Sequence, residues 1–480
     1  MPPDDTPSLP GGQIWKITAV VSFGPFLSQL DTTVVNVALS TLSVELNAPL
    51  ATIQWVATGY LLALALMIPL NGWLVDRVGP KRVYLSCFAL FTAASTCCGL
   101  SQTVEQLVGF RILQGMAGGL LAPMAQMMIA HHAGPRMAKM MSFVGIPVLV
   151  APIFGPSVAG AILHVASWHW LFLMNLPVGV AAIVAAAILL PADGALRPRP
   201  LDLLGFGLVS PGLVFLLDGF KRFATSGKPW VAAGEVAAAV VLLASFVVRS
   251  LRRGTGALID VRLFRHRTFA ASARTQFLAN ATVQGGQMLI PLYLLAGRDV
   301  SPASVGLLLA PMGLGLLAGR PFLDFLIRTF GPRRVSTTGG SICLAATLPF
   351  AWPGLHMPLG VVAGVLLIRG FGLSLVNLPS IVSAYTAIPR ASLTDAATAI
   401  NIVQRLGGPV STMSIALLLQ HLAHGVEAGS SGAATAEVLP PSVFPAGFAL
   451  LCVVNLLCIL AASRLPLVHT HSRPESAERS

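Results

Sequence analysis

The sequence predicts an all-α integral membrane protein of about fourteen spans, two six-helix bundles with two extra helices inserted between them. Three observations predict it. Of 480 residues, 55% are hydrophobic and only 10% charged, with a mean hydropathy of +0.79, too little charge to wet the whole surface of a soluble protein this long. The apolar residues gather into runs long enough to cross a bilayer. A short charged hinge between two such runs, Gly72-Trp73-Leu74-Val75-Asp76-Arg77-Val78-Gly79-Pro80-Lys81-Arg82, returns in weakened form, with Pro69, Gly79, Pro80 and Arg82 matched by Pro321, Gly331, Pro332 and Arg334. The chain therefore reads as two related halves.

In order, the apolar runs lie near 14-39, 51-74, 83-101, 105-131, 141-164 and 170-190, then 203-219 and 230-249, then 269-296, 302-320, 334-352, 357-378, 396-422 and 443-463. Irregular backbone cannot face lipid, so runs of this length that contain Gly and Pro imply a helical bundle. The expected units are 1-190, an N-terminal six-helix bundle, 191-268, the inserted pair, and 269-480, a C-terminal six-helix bundle. A binding cavity is expected between the bundles near the midplane. Loops are short except Glu427 to Pro441, whose Gly, Ala and Ser content suggests a flexible external segment. The polar stretch Met1 to Gly12 leads into a run too long for a signal-peptide core, so the first span is expected to be retained.

Basic residues set the orientation. Arg77, Lys81, Arg82, Arg136, Lys139, Arg249, Arg252, Arg253, Arg262, Arg328, Arg333 and Arg390 fall in alternate loops, which should be cytoplasmic together with both termini. Lys221, Arg222 and Lys228, between spans 7 and 8, violate the pattern. The net charge of +12 is spread over these short clusters and builds no basic face, which argues against a nucleic-acid partner and for a lipid bilayer. All six cysteines sit within apolar runs, as small fillers and not as metal ligands or disulfides. The pair His421/His424 has a spacing that suits a metal, but without acidic or Cys neighbours it reads as interfacial.

Two charges lie deep in apolar helices. Asp31 in span 1 stands in Leu30-Asp31-Thr32-Thr33-Val34-Val35-Asn36, where burying an ionised carboxylate costs at least about 2.5 kcal/mol. It is either a proton-exchanging acid or a structural one satisfied by a neighbouring helix. Arg111 in span 4, within Arg111-Ile112-Leu113-Gln114-Gly115-Met116-Ala117-Gly118-Gly119, falls at about the same depth by helix rise, so the two can share one layer. An arginine that snorkels outward as an anchor is the alternative. Span 5 carries Pro147, Pro152 and Pro156 among Gly145, Ala151, Gly155, Ala159 and Gly160, a pattern that bends a helix and lets a neighbour approach.

Together these segments make the chain similar to the fourteen-span drug:proton antiporter family of the major facilitator superfamily, typified by the EmrB and QacA exporters. The resemblance rests on the hinge, the LDTTVVNVAL of span 1, the RILQGMAGG of span 4 and the APIFGPSVAG of span 5. It extends through Trp168-His169-Trp170 to Asn175-Leu176-Pro177, Arg369-Gly370-Phe371-Gly372 and Gln404-Arg405-Leu406-Gly407-Gly408, and so covers nearly the whole chain. By this resemblance Asp31 is a proton-coupling acid with Arg111 as its partner. The latch comprises Gly72, Asp76, Arg77, Gly79, Lys81 and Arg82, and the antiporter hinge Pro152, Gly155, Pro156 and Gly160. Departures are Ala151 and Ala159 for family glycines, Ser40 for a usual proline and His169 for a usual arginine. In the second hinge Arg328 takes the slot of Asp76 and Asp324 that of Gly72, so a second latch would be wired differently.

The expected function is proton-coupled export of amphiphilic drugs or toxic small molecules by alternating access, in a bacterial cytoplasmic (inner) membrane. The proton is the coupling ion, there is no cofactor or metal, and a periplasmic adaptor protein stays open as a partner. The substrate cavity is expected from Gln29, Thr33, Asn36 and Gln114 in the first half, and from Arg274, Gln276, Asn280, Gln284, Gln287, Arg369, Asn377 and Arg405 in the second. One buried carboxylate against several arginines favours neutral, singly charged or anionic amphiphiles over dications. Met124, Met127 and Met128 form either a soft ligand surface or plain packing. A proton-coupled transporter of one specific metabolite, importer or exporter, is the alternative. An enzyme is disfavoured, because no His/Asp/Cys constellation gathers at an interface.

Overall fold

The computed structural model describes residues 11–194, 200–225, 229–352, 357–427 and 440–467. The expected flexible segment after Glu427, most of the polar N-terminus, and Lys228 lie outside them. Every regular element among the described residues is helical. The first group comprises α1 (Gly11–Glu45), α2 (Leu50–Met67), α3 (Asn71–Val78), α4 (Pro80–Gly99), α5 (Val104–His132), α6 (Met137–Val165), α7 (Trp170–Leu173) and α8 (Asn175–Leu189). Here α5 is central, packed on α1, α2 and α4, while α6 lies along α1 and α8 along α4. The second group comprises α11 (Arg267–Leu292), α12 (Pro302–Gly319), α13 (Leu323–Ala351), α14 (Leu359–Thr386), α15 (Leu393–Glu427) and α16 (Phe444–Ala462). Between the groups in sequence, α9 (Leu203–Thr225) and α10 (Pro229–Arg253) pack mainly on each other, and α9 also touches α2 and α15.

Nine helical stretches among the described residues are long and apolar enough to cross a membrane, or ten when the two arms of α6, bent by 43°, count as one span. The difference from about fourteen has a physical cause. Helices α1, α4 and α11 dilute their apolar runs with buried polar groups, among them Asp31, Ser95 and Gln276, that face other helices and not lipid. In addition Ser304–Ala351 counts once although Gly331 breaks it.

That break confirms the hinge repeat at the backbone level. Gly79 has φ 100° and ψ 144°, and Gly331 has φ 79° and ψ 158°, a region L-residues with a Cβ rarely enter. Each glycine ends one helix, and the following Pro80 or Pro332 starts the next with a preset φ and no N–H to satisfy.

The apolar core divides unevenly. One cluster runs through both helix groups at the end that carries Arg77, Arg136 and Arg390, called here the basic end, joining Ile14, Leu120 and Met128 to Leu323, Leu378 and Ala396. Toward the opposite end each group has its own cluster, built around Val34, Ile53 and Phe172 in the first and Leu289, Phe350 and Phe448 in the second. Met124, Met127 and Met128 are 0–4% exposed and belong to the joint cluster, so they are packing and not a ligand surface. The bases Lys221 and Arg222, which broke the loop alternation, are occupied: Arg222 pairs with Asp218 at 2.7 Å and Glu235 at 3.1 Å, and Lys221 donates to Thr58 on α2.

Candidate functional site

The structure brings Asp31 and Arg111 together. Both are 1% exposed, and Arg111 Nη1 donates to Asp31 Oδ2. The same nitrogen reaches Gln114 Oε1 at 2.8 Å, while Nε donates to the Val56 carbonyl of α2 at 3.0 Å. The other carboxylate oxygen of Asp31 accepts from Gln114 Nε2 at 3.1 Å and Asn175 Nδ2 at 3.3 Å. The guanidinium lies 4.2 Å from the Tyr60 ring centroid, and the Tyr60 hydroxyl meets Ser28 Oγ at 2.7 Å. Three helices, α1, α5 and α8, therefore meet at one carboxylate, with α2 holding its arginine partner, and removing either charged partner would strand the other at about 3–5 kcal/mol.

Asn175 and Tyr60 escaped the sequence reading as site residues. Asn175 also donates to Ser95 at 3.0 Å, so it ties α8 to both α1 and α4. Its signal was available: an amide in an otherwise apolar run, which needs a partner. Tyr60 gave none, since a tyrosine in a helix is ordinary packing.

At the hinge, Lys81 and Arg82 are held by an acid that was not foreseen. Asp193, after α8, accepts from the backbone N–H of Lys81 at 2.7 Å and of Arg82 at 3.3 Å, capping the first turn of α4. Lys81 Nζ caps the other helix, donating to the Ala187 and Leu190 carbonyls at 2.7 and 2.8 Å. Gly72 is buried, and Arg77 lies 5.6 Å from the Trp73 ring centroid. In the second hinge Asp324 and Arg328 pair within one helix, four residues apart, at 3.1 Å.

On α6 the small residues split by face. Ala151, Gly155 and Ala159 are buried one turn apart, and a Cβ on Gly155 would meet Thr33 of α1 at 2.9 Å. Pro152, Pro156 and Gly160 lie on the exposed face. Among the described residues nothing lies within 4 Å of a Cβ placed on Gly160, so it makes no close helix contact here.

The expected substrate cavity is only partly assembled. Gln114 is spent on the Asp31 cluster, and Gln276, 0% exposed, bonds the Asn377 carbonyl at 2.7 Å and Ser380 Oγ at 2.6 Å. Arg369 is also 0% exposed and is held between helices: Nη2 donates to the Thr282 carbonyl at 2.9 Å and Nη1 touches Met312 Sδ at 3.4 Å. Arg274 is exposed at the basic end, in a groove with Phe264 and Phe277. Asn280 and Gln284 pack on Gly408 of α15, Asn36 is exposed, and Gln29 and Thr33 are half-buried on α1. Arg405 is half-buried, within electrostatic range of Tyr60, and makes no hydrogen bond or ion pair among the described residues.

The two helix groups are joined by hydrogen bonds near the basic end. Gln126 Oε1 on α5 accepts from Tyr385 and Asn401 of the second group, each at 2.8 Å. Asn71 donates to Thr398 at 3.3 Å, and Ser142 to the Arg320 carbonyl at 2.9 Å.

A helical bundle with apolar helices long enough to cross a membrane, a buried ion pair and two helix groups fits the class of membrane transporters. Residues 21–412 match the sequence model of the Major Facilitator Superfamily, and the chain belongs to that family. It is similar to the "Multidrug resistance protein B homolog" of Mycobacterium tuberculosis (strain ATCC 25618 / H37Rv), 32% identical over 413 residues that cover 85% of this chain and 76% of the relative. Its fold matches the human organic anion transporter MFSD10 with a TM-score of 0.62 at 14% identity, covering 94% of this chain and 100% of that one. It also matches the proton:xylose symporter XylE with a TM-score of 0.61 at 14% identity, covering 94% and 95%.

Proposed function

We propose that the protein is a proton-coupled antiporter that exports amphiphilic small molecules by alternating access, with the basic end cytoplasmic. The observation that carries the reading is the Asp31–Arg111 pair, an ionisable pair sealed inside the first helix group with Gln114 and Asn175 as further donors. A proton arriving at Asp31 neutralises the acceptor of Arg111 and frees the guanidinium to seek another partner, which couples protonation to helix rearrangement. The multidrug resistance name of the relative supports export of drugs.

Fourteen spans follow when α6 counts once, Ser304–Ala351 is divided at Gly331, and α1, α4 and α11 are added with their polar faces turned inward. The units are then 1–190, 191–268 and 269–480, and the two six-helix units rock against each other. With the basic end cytoplasmic, joint packing there and separate clusters at the other end describe an outward-facing state. The location is a bacterial inner membrane.

The test uses inside-out vesicles energised to an acid interior, with a pH-sensitive dye and a panel of amphiphilic drugs. Compounds should release protons with wild type and not with Asp31→Asn. Equal release by Asp31→Asn would refute the role of this acid, and uptake driven in the same direction as the proton would favour the metabolite symporter.

A further inference from the structure

At the basic end, α9 and α10 leave an open groove of about 770 Å³ between the start of one helix and the end of the other. Leu204, Leu208, Ala244 and Val248 form its apolar wall, and Arg249, Arg252 and Arg253 its rim. The wall faces outward: Leu204 is 59% exposed and Val248 50%, on a helix pair that packs mainly on itself. Asp202 is the acid at this rim, and it is already engaged, by Arg249 at 2.8 Å and Arg253 at 2.7 Å. Arg252 is exposed and makes no ion pair among the described residues. Three arginines against one carboxylate leave the rim with an excess of two positive charges.

We propose that this groove binds an anionic phospholipid of the adjoining leaflet, with its phosphate at Arg252 and Arg253 and an acyl chain along the Leu204–Val248 wall. The chemistry matches in both parts. Arginine at the depth of the headgroups offers a planar donor fork to phosphate oxygens, and each such charge favours anionic lipid. The apolar wall gives a chain more contact than the smooth face of one helix. A free phosphate would satisfy only the rim, and a zwitterionic lipid would bring its own cation to it. The inserted pair, absent from a plain six-plus-six bundle, would thus be the protein's handle on its lipid surroundings, whatever the transported substrate.

The experiment is native mass spectrometry of the full chain in detergent, titrated with phosphatidylglycerol or with phosphatidylcholine of the same acyl chains. Wild type should retain one phosphatidylglycerol in preference to phosphatidylcholine. Arg252→Gln should weaken retention about fivefold, and Arg252→Gln/Arg253→Gln about twentyfold, at roughly one factor of five per charge. Asp202 keeps Arg249 in both, and Arg252→Lys/Arg253→Lys, which preserves the charge and loses only the planar fork, should weaken retention clearly less than the double Gln variant, separating charge from misfolding. Ala244→Trp, which fills the groove, should abolish retention. Equal retention of both lipids, or a wild-type affinity in the double Gln variant, overturns the site. Competition by millimolar glycerol phosphate would overturn the lipid assignment in favour of a free-phosphate site.

Discussion

Asp31 and Arg111 make a sharp stability prediction that is independent of transport. Asp31→Asn leaves Arg111 buried at 1% exposure with Val56 and Gln114 oxygens as acceptors but no counter-charge. Arg111→Gln leaves the carboxylate with two amide donors, Gln114 and Asn175. Each single change should cost about 3–5 kcal/mol, because an unpaired charge then stays in the interior. The double change Asp31→Asn/Arg111→Gln removes both charges, and its cost should fall below the sum of the singles by at least about 2 kcal/mol. The assay is equilibrium unfolding in mixed micelles of lipid and detergent, followed by tryptophan fluorescence, for all four proteins. Additivity within about 0.5 kcal/mol would refute the view that each charge is buried for the other's sake. The double variant should nevertheless stay inactive in the vesicle assay, since its restored stability brings back no titratable group.

Gly79→Ala should cost about 1–3 kcal/mol from the backbone alone, plus displacement of the Asp193 carboxylate that its Cβ would strike, and thermal unfolding of the purified protein reads it. Gln126→Leu removes the shared acceptor of Tyr385 and Asn401 and should loosen the basic end. Spin labels at Arg136 and Arg390 should then move apart in a larger fraction of molecules, and an unchanged distance distribution would show that the seal does not depend on Gln126. Burial tends to raise the Asp202 carboxyl, but hydrogen bonds from Arg249 and the Gly205 N–H and the charges of Arg249 and Arg253 outweigh it and hold it below the usual value. Its contribution to α9 is thus fully present above the ordinary carboxylate range and lost as pH falls through the depressed value. Amide exchange at 203–208 should be flat from neutral pH to about 4, after allowance for intrinsic rates, and rise below it.

The hinge was legible because its chemistry is local. Gly79 and Gly331 are read from a Gly-Pro step between two apolar runs, and only glycine fits the backbone found there. Asp31 and Arg111 were legible because ionisable groups in apolar helices must meet a partner, and helix rise gives their depth. What sequence could not supply was direction around the helix axis. Arg369, Gln276 and Gln114 were read as cavity groups on polarity alone, and in each case the side chain turns toward a neighbouring helix and is consumed there. Asp193 was missed for a different reason: it lies beyond the apolar runs, and its partner is a backbone helix end reached across the bundle.

The two halves share their hinge geometry and diverge in their arginines. Arg111 in the first half meets a carboxylate; Arg369 in the second, buried as completely, meets a carbonyl and a thioether, with Gly286 packed against its guanidinium. A Cβ at Gly286 would collide with that guanidinium, so the glycine leaves the room the arginine occupies. Arg369 thereby ties α11, α12 and α14 together. Arg405 on α15 brings a cation of the second half within electrostatic range of Tyr60, whose ring packs on the Arg111 guanidinium.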